Sequence, residues 1–376
     1  MRTGLDHKKQ LKILYFVQLP PPVHGVSVVN KLIYTSQIIN KGFDTYLLEI
    51  RFSNKINQLR RLNLHKVFQF FRLAFRLIRS IKFIRPDIMY FSLMPVGKGL
   101  FRDLFFVIII KWFKITPVYH LHNKGIARNS DKWIMKKLYQ FIFRDSYIIH
   151  LSTKLYEHEM INLKLKNVKY RIVPNGISWS KTVEFVKHDG TINLLYLSNL
   201  FPQKGIINLI KIFKNIESEF PDVILSIVGG FPYRQTHKQV MKLIKYNNLE
   251  KKVLLKGPKF GKNKTMEYNQ ADIFVFPTSF RQECFPLVIL EAMQAGLPII
   301  ASDEGAIPEI IDDGINGIIL RRWTVESFSE KLALLIRDSE LRSKLGMNAE
   351  KKFREFYTVH HLEKNMRDFY EEEFLS

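Results

Sequence analysis

Leu11-Lys12-Ile13-Leu14-Tyr15-Phe16-Val17 is a short apolar run, Pro20-Pro21-Pro22-Val23-His24-Gly25 is a loop ending in glycine, and Val26 to about Asn40 has helical spacing. Strand, glycine loop, helix is the opening unit of an open α/β sheet. The pattern recurs outward from it. Strand-like runs stand at Tyr46–Ile50, Ile88–Ser92, Pro117–His122, Tyr147–Leu151 and Tyr170–Val173, separated by segments long enough for helices. Such alternation predicts a parallel sheet covered on both faces.

At Pro174-Asn175-Gly176 the chain turns, and a polar stretch runs from Ser178 to Thr191. The alternation then starts afresh. Strands are predicted at Ile192–Leu197, Val223–Val228, Val253–Leu255, Ile273–Phe276 and Ile299–Ala301, with helices from Gly205, about Tyr233 and Pro286. From about Val325 onward the pattern is helical and charged. Two doubly wound α/β domains of similar size are the simplest account: 1–180, 181–355, and a terminal helix over 356–376. A length of 376 residues accommodates both cores.

The composition, 46% hydrophobic and 25% charged, excludes a collagen, a disulfide-stapled miniprotein and a wholly disordered chain. One cysteine cannot form an internal bridge, so a reducing cytoplasm is the expected setting. Charge is the unusual quantity. The chain carries 58 Lys+Arg against 35 Asp+Glu; residues 1–180 hold 31 of the bases and only 9 of the acids. The first half is therefore +22 and the second +1. A field of that size attracts polyanions: nucleic acid, an anionic leaflet or a phosphorylated substrate. No zinc-finger or aromatic RNA-binding signature supports nucleic acid.

Neither a signal peptide nor a spanning helix is expected. Met1–Gln10 is polar, and the longest apolar run, Leu104–Ile110, stops at Lys111. Leu64–Ile84, however, interleaves Phe68, Phe70, Phe71, Phe75 and aliphatic residues with Arg72, Arg76 and Arg79, which line one face of a helix. An aromatic face beside an arginine stripe suits a leaflet surface, and equally a helix packed on the sheet with its basic face in water.

Open α/β sheets bind ligands beyond the carboxyl ends of their strands, and two such domains side by side form a cleft. Gly25, between first strand and first helix, lets backbone amides approach an anion. Ser198-Asn199-Leu200-Phe201-Pro202-Gln203-Lys204-Gly205 repeats this arrangement, with Lys204 as a point charge suited to a diphosphate. The strongest signal is Glu283-Cys284-Phe285-Pro286-Leu287-Val288-Ile289-Leu290-Glu291-Ala292-Met293. Pro286 suits the first turn of a helix whose open amides point back to the ligand. Glu283 then lies in the preceding loop and Glu291 more than a turn inside, in an apolar run. A carboxylate there needs partners, and sugar or ribose hydroxyls would supply them.

These segments, with the Pro174-Asn175-Gly176-Ile177 linker and the Gly305-Ala306-Ile307-Pro308-Glu309 and Asp313-Gly314-Ile315-Asn316-Gly317 loops, resemble the retaining glycosyltransferases of family 4, of the bacterial surface-polysaccharide type. The resemblance covers nearly the whole chain, specifically in the second half and loosely in the first. It implies the GT-B architecture: two Rossmann-like domains, the first facing the acceptor, the second holding a nucleotide-sugar donor, and a last helix crossing back to the first. Carried over by motif, Glu291 bonds the donor ribose, Glu283 a hydroxyl of the transferred sugar, and Lys204 the diphosphate. Phe285 and the amides of Leu287, Val288 and the Gly25 loop complete the donor site. His122 matches the histidine near the reacting sugar; His120, two residues earlier with the same facing, stays open as an alternative.

The chain departs from the family twice. Ser198-Asn199 stands where Gly-Arg is common, so Asn199 offers neutral hydrogen bonds in place of a cation, with Arg281 or Lys124 as candidate replacements. Cys284-Phe285-Pro286 stands where Gly-Phe-Gly is frequent, and Pro286 has no amide to donate. No Asp-X-Asp triplet occurs, and the family's fold works without metal, so no cofactor is expected. The expected activity is transfer of a sugar from a UDP- or GDP-sugar to a hydroxyl of a lipid-linked or polysaccharide acceptor, at the inner face of the cell membrane. The alternatives are a nucleotide-sugar epimerase of the same fold and a non-catalytic donor-binding subunit.

Overall fold

The computed structural model describes residues 10–51, 64–178 and 190–375. Most of the polar stretch Ser178–Thr191, read above as the domain divide, lies outside the described residues. The chain forms two units, residues 1–175 with 360–376, and residues 176–359.

The first unit runs β1 (Lys12–Val17), α1 (Gly25–Tyr34), α2 (Gln37–Asn40), β2 (Asp44–Glu49), α3 (Leu64–Ile84), β3 (Ile88–Phe91), α4 (Gly97–Trp112), β4 (Thr116–Leu121), α5 (Ile126–Ser130), α6 (Trp133–Phe143), β5 (Ser146–His150), α7 (Thr153–Met160) and β6 (Val168–Ile172). Its six strands are parallel, in the order β2-β1-β3-β4-β5-β6. The helix expected over Val26–Asn40 is two helices. Ser36 breaks it by capping α2, its hydroxyl accepting from the Ile39 amide at 3.1 Å. One core cluster joins Leu14, Phe16, Met89, Phe91 and Tyr119 of the sheet to Leu73 and Leu77 of α3, Phe106 and Ile110 of α4, and Tyr139 and Phe143 of α6. These three helices therefore share one face of the sheet.

The second unit runs β7 (Ile192–Leu197), α8 (Ile206–Ile216), β8 (Val223–Val228), α9 (Arg234–Tyr246), β9 (Val253–Leu255), α10 (Gly261–Asn269), β10 (Ile273–Phe276), α11 (Leu287–Gln294), β11 (Ile299–Ser302), α12 (Ile307–Ile310), β12 (Ile318–Leu320), α13 (Val325–Arg337) and α14 (Ser339–Phe356). Its parallel order is β12-β11-β10-β7-β8-β9. The helix expected from Gly205 begins at Ile206, after a 3₁₀ turn over Pro202–Lys204. Pro286, expected in the first turn of its helix, stands one place earlier as the N-cap of α11. The last helix, α15 (Val359–Phe374), packs on the first unit through the Phe43–Tyr370 and Tyr147–Phe374 ring contacts. Lys169 and Glu373 pair at 2.7 Å on its rim.

Candidate active site

Strand order changes direction between β1 and β3 in the first sheet and between β7 and β10 in the second. At such a switch point the loops leave in opposite directions and open a crevice at the carboxyl edge. In the second unit the loop after β7 carries Asn199 and Lys204, and the loop after β10 carries Arg281, Glu283, Phe285 and Pro286. The topology alone brings the two sequence signals to one place.

Backbone contact locks them together. Gly205 has φ +90°, and a Cβ there would lie 1.9 Å from the Pro277 carbonyl oxygen. The Ser279 amide donates to the Gln203 carbonyl at 3.0 Å, stitching the same two loops. A Cβ on Gly305 would meet the Glu283 carbonyl oxygen at 2.5 Å, and the Ala306 amide donates to the Cys284 carbonyl at 2.7 Å. Glycine is the side chain these approaches admit.

The result is a buried ion pair. The Lys204 ammonium donates to Glu283 Oε2, with Glu283 6% exposed, and the ammonium sits 4.9 Å from the centre of the Phe280 ring. Beside it no side chain caps α11, so the first-turn amides, Leu287 and Val288 among them, are not answered by a protein cap. The positive end of that helix and Lys204 together suit an anion.

Glu291 lies half-buried on the second turn of α11. Its need for partners is met within the protein: Lys264 Nζ donates at 2.6 Å and the Tyr268 hydroxyl at 2.7 Å. The expectation that ligand hydroxyls must supply its partners is thus corrected. Lys264 and Tyr268 lie on α10 and belong to no motif; their only sequence trace is a spacing that puts both on one helix face. Burial and the Glu291 carboxylate push the Tyr268 hydroxyl well above its ordinary range, which keeps it a donor.

Asn199 and Arg281 are exposed and Lys124 half-buried. Phe285 is buried with its ring against Tyr357, 6.0 Å between centres. Gly25 is exposed at the start of α1, but the His24 imidazole caps that helix, accepting from the Ser27 amide at 3.3 Å. One of the amides expected to face an anion is therefore occupied.

His122 follows the last residue of β4 and is 8% exposed; His120, inside the strand, is fully buried. Their rings lie 4.0 Å apart. The Tyr90 hydroxyl and His120 Nδ1 share a hydrogen bond at 2.5 Å, and His150 Nδ1 accepts from the Leu151 amide at 3.0 Å. Burial, then the neighbouring imidazoles, push His122 down to about 3; burial pushes His150 to about 3 and His120 well below its ordinary value. All three rings are neutral at physiological pH. The loop after His122 is held from the other side by Glu159, a buried carboxylate accepting from the Gly125 and Ile126 amides at 2.7 and 2.6 Å. Sequence reading missed Glu159.

The histidines predict acid sensitivity. An unfolded chain protonates them near 6.5, while the folded unit does not. Stability is therefore complete above about pH 7 and falls as pH drops from about 6.5 toward 3, by up to about 1.4 kcal/mol per pH unit for each ring. Urea unfolding of the first unit at pH 7.5, 6.5 and 5.5 should show the slope, and His150→Gln should reduce it by about one proton. Identical midpoints in wild type across that range would contradict the assignment.

Two doubly wound six-stranded parallel sheets, with a last helix returning to the first, constitute the GT-B fold. Residues 179–352 match the family described as glycosyl transferases group 1. The chain is 25% identical over 295 residues to the sulfoquinovosyl transferase SQD2 of Arabidopsis thaliana, covering 73% of this chain and 54% of that one. It is 28% identical over 236 residues to the capsular polysaccharide biosynthesis glycosyltransferase CapM of Staphylococcus aureus, covering 58% and 59%. Among solved structures, Anabaena HepE in complex with UDP and glucose superposes with a TM-score of 0.73 at 16% identity, covering 96% of this chain and 100% of that one. Residues 179–352 thus match the group 1 glycosyltransferases, and the curated relatives are glycosyltransferases, the family-4 type that the chain's motifs resemble. The chain spans between half and two thirds of the length of these two curated relatives.

Proposed function

We propose that the protein is a retaining glycosyltransferase moving a hexosyl or N-acetylhexosaminyl group from a UDP- or GDP-sugar to a hydroxyl of a lipid-linked or polysaccharide acceptor, at the cytoplasmic face of a membrane. The observation carrying this reading is the Lys204–Glu283 pair at the switch point, beside the uncapped start of α11. The relatives' names support it, as does a GT-B neighbour crystallised with UDP and glucose.

In this reaction the bond between the anomeric carbon and the diphosphate oxygen breaks and a bond to the acceptor oxygen forms. The acceptor proton passes to the leaving phosphate, so no dedicated protein base is needed. Negative charge grows on the diphosphate as the bond opens, and fixed donors aimed at it lower the barrier. Lys204 and the amides of Leu287 and Val288 fill that role without a metal. As a diphosphate arrives, Lys204 turns from Glu283 toward it, and Glu283 is freed to accept from a sugar hydroxyl. Glu291 accepts from the ribose, with Asn199, Phe285 and the Gly25 loop completing the donor contacts. His122, at the strand end, keeps the electrostatic role that the family resemblance implies for it. The +22 charge of residues 1–180 supports a reading in which the acceptor, or its anionic surroundings, meets the first unit.

A panel of UDP- and GDP-sugars, read by thermal shift, tests the donor half. A true donor at one hundred times its Kd stabilises the fold by about 2.7 kcal/mol. Lys204→Ala should erase that shift. Stabilisation by none of the panel would overturn the reading.

A further inference from the structure

We propose that the outer surface of α3 and α4 is a docking face for an anionic lipid leaflet. This deepens the membrane location proposed above and rests on that part of the reading.

The two helices pack side by side, with Phe70 of α3 against Phe105 and Phe106 of α4, at 5.0 and 5.3 Å between ring centres. Each buries one face in the core of the first unit, α3 through Leu73, Leu77 and Ile81, α4 through Phe106, Val107 and Ile110. An ordinary surface helix is polar on its opposite face. Here large apolar side chains stand among the polar ones. Phe68, Phe71 and Phe75 recur at helical spacing on the outside of α3, and Phe101, Phe105, Ile108 and Trp112 form a row along the outside of α4. Phe75 is 67% exposed and Trp112 82%. Large exposed side chains arranged in rows differ from the scattered ones every protein carries; they mark a surface that something apolar covers.

Charge identifies the cover. Arg72, Arg76, Arg79 and Lys82 are exposed along α3 beside its phenylalanines. No acidic residue occurs on α3, and the one on α4, Asp103, is fully buried, accepting from Arg102 and the Met94 amide. A face that repeats across a dimer would bring these cations against each other without counter-charges. A leaflet instead offers acyl chains to the aromatic rows and phosphates to the cations, the arrangement an interfacial helix adopts. On α4, Lys98, Arg102 and Lys111 flank the apolar row, with Arg102 held by Asp103 and Lys111 by the Arg144 carbonyl, so α3 supplies the longer run of cations to the headgroups. No helix among the described residues is long and apolar enough to cross a membrane, which agrees with lying on one.

Co-sedimentation of the full chain with large unilamellar vesicles tests this, using phosphatidylcholine alone against phosphatidylcholine with about one third phosphatidylglycerol. The wild type should bind the anionic vesicles and detach as salt rises. Arg72→Gln/Arg76→Gln/Arg79→Gln should weaken binding about 100-fold, three cations each supplying about 1 kcal/mol. Phe71→Ser/Phe75→Ser/Ile108→Ser, which alters only exposed side chains, should reduce binding to background. Brominated lipid should quench Trp112. Equal binding to both vesicles, unchanged binding by both variants, or an unquenched Trp112 would overturn the proposal. So would a wild-type dimer that the serine variant splits without any vesicle binding, since the cover would then be a second copy. Donor binding by thermal shift is read on the same samples. Loss of vesicle binding with donor binding intact is the docking failure; vesicle binding without donor binding is failure of the transferase reading.

Discussion

Glu283→Gln is expected to reduce kcat by about 100- to 1000-fold, the scale seen when one preorganised transition-state contact is lost. Glutamine keeps the volume and can still bond a hydroxyl, so the loss isolates the charge. In the proposed reaction that charge does two things. It holds Lys204 in place before the donor arrives, and it accepts from the sugar hydroxyl as positive charge develops on the ring. Removing it also leaves the Lys204 ammonium, whose side chain is 16% exposed, without its partner. A fully buried pair broken this way costs about 3–5 kcal/mol; residual water contact at Lys204 brings the expected cost below that range. Stability and catalysis are separated by the double variant Lys204→Met/Glu283→Gln. It removes both charges and should recover most of the melting temperature while turnover stays lost. Wild-type turnover in the single variant would refute the site assignment, and a melting point that fails to recover in the double variant would refute the pairing.

The parts of this architecture legible in the sequence are those written locally. Ile192–Leu197, Val223–Val228 and Ile273–Phe276 stand where the apolar runs predict them, because a central parallel strand covered on both faces is apolar along its whole length. Ile318–Leu320 is not predicted, although Val253–Leu255, an edge strand of the same length, is; runs so short show no period of their own. The division of Val26–Asn40 turned on one hydroxyl, at Ser36, in an otherwise continuous helical pattern. In the site the same distinction holds. Lys204 and Glu283 are each conspicuous beside a glycine or a proline, yet their pairing spans 79 positions and follows from strand order, which no local window contains. Lys264 and Tyr268, which hold Glu291, and Glu159, which holds the loop after His122, are ordinary helix residues until tertiary structure gives each a partner. The exposed row on α4 was hidden for the opposite reason. Phe101, Phe105, Ile108 and Trp112 sit in so apolar a helix that the sequence reads as core on every side.

Gly205→Ala is expected to cost about 4 kcal/mol or more and to abolish donor binding. Two effects combine in it, and a second glycine separates them. Gly205 and Gly257 both have positive φ, +90° and +67°, and both follow strands of the second sheet at its carboxyl edge. Any L-residue at either position is strained, by roughly 1–2 kcal/mol. Gly257 has nothing within 4 Å of where a Cβ would stand, so Gly257→Ala should cost that strain and no more. At Gly205 the new carbon would be 1.9 Å from the Pro277 oxygen and 2.7 Å from its carbonyl carbon. Those atoms are backbone at the end of β10 and have no rotamer through which to yield. The two loops must separate by more than an ångström, breaking the Ser279–Gln203 hydrogen bond and drawing Lys204 away from Glu283. Urea unfolding of the two variants should differ by at least about 2 kcal/mol, well beyond the half kilocalorie that separates neutral substitutions. UDP-sugar binding should persist in Gly257→Ala. Equal stability loss in both would mean that the approach of the two loops is looser than described, and that Lys204 reaches Glu283 by side-chain reach alone and not by the packing of its loop.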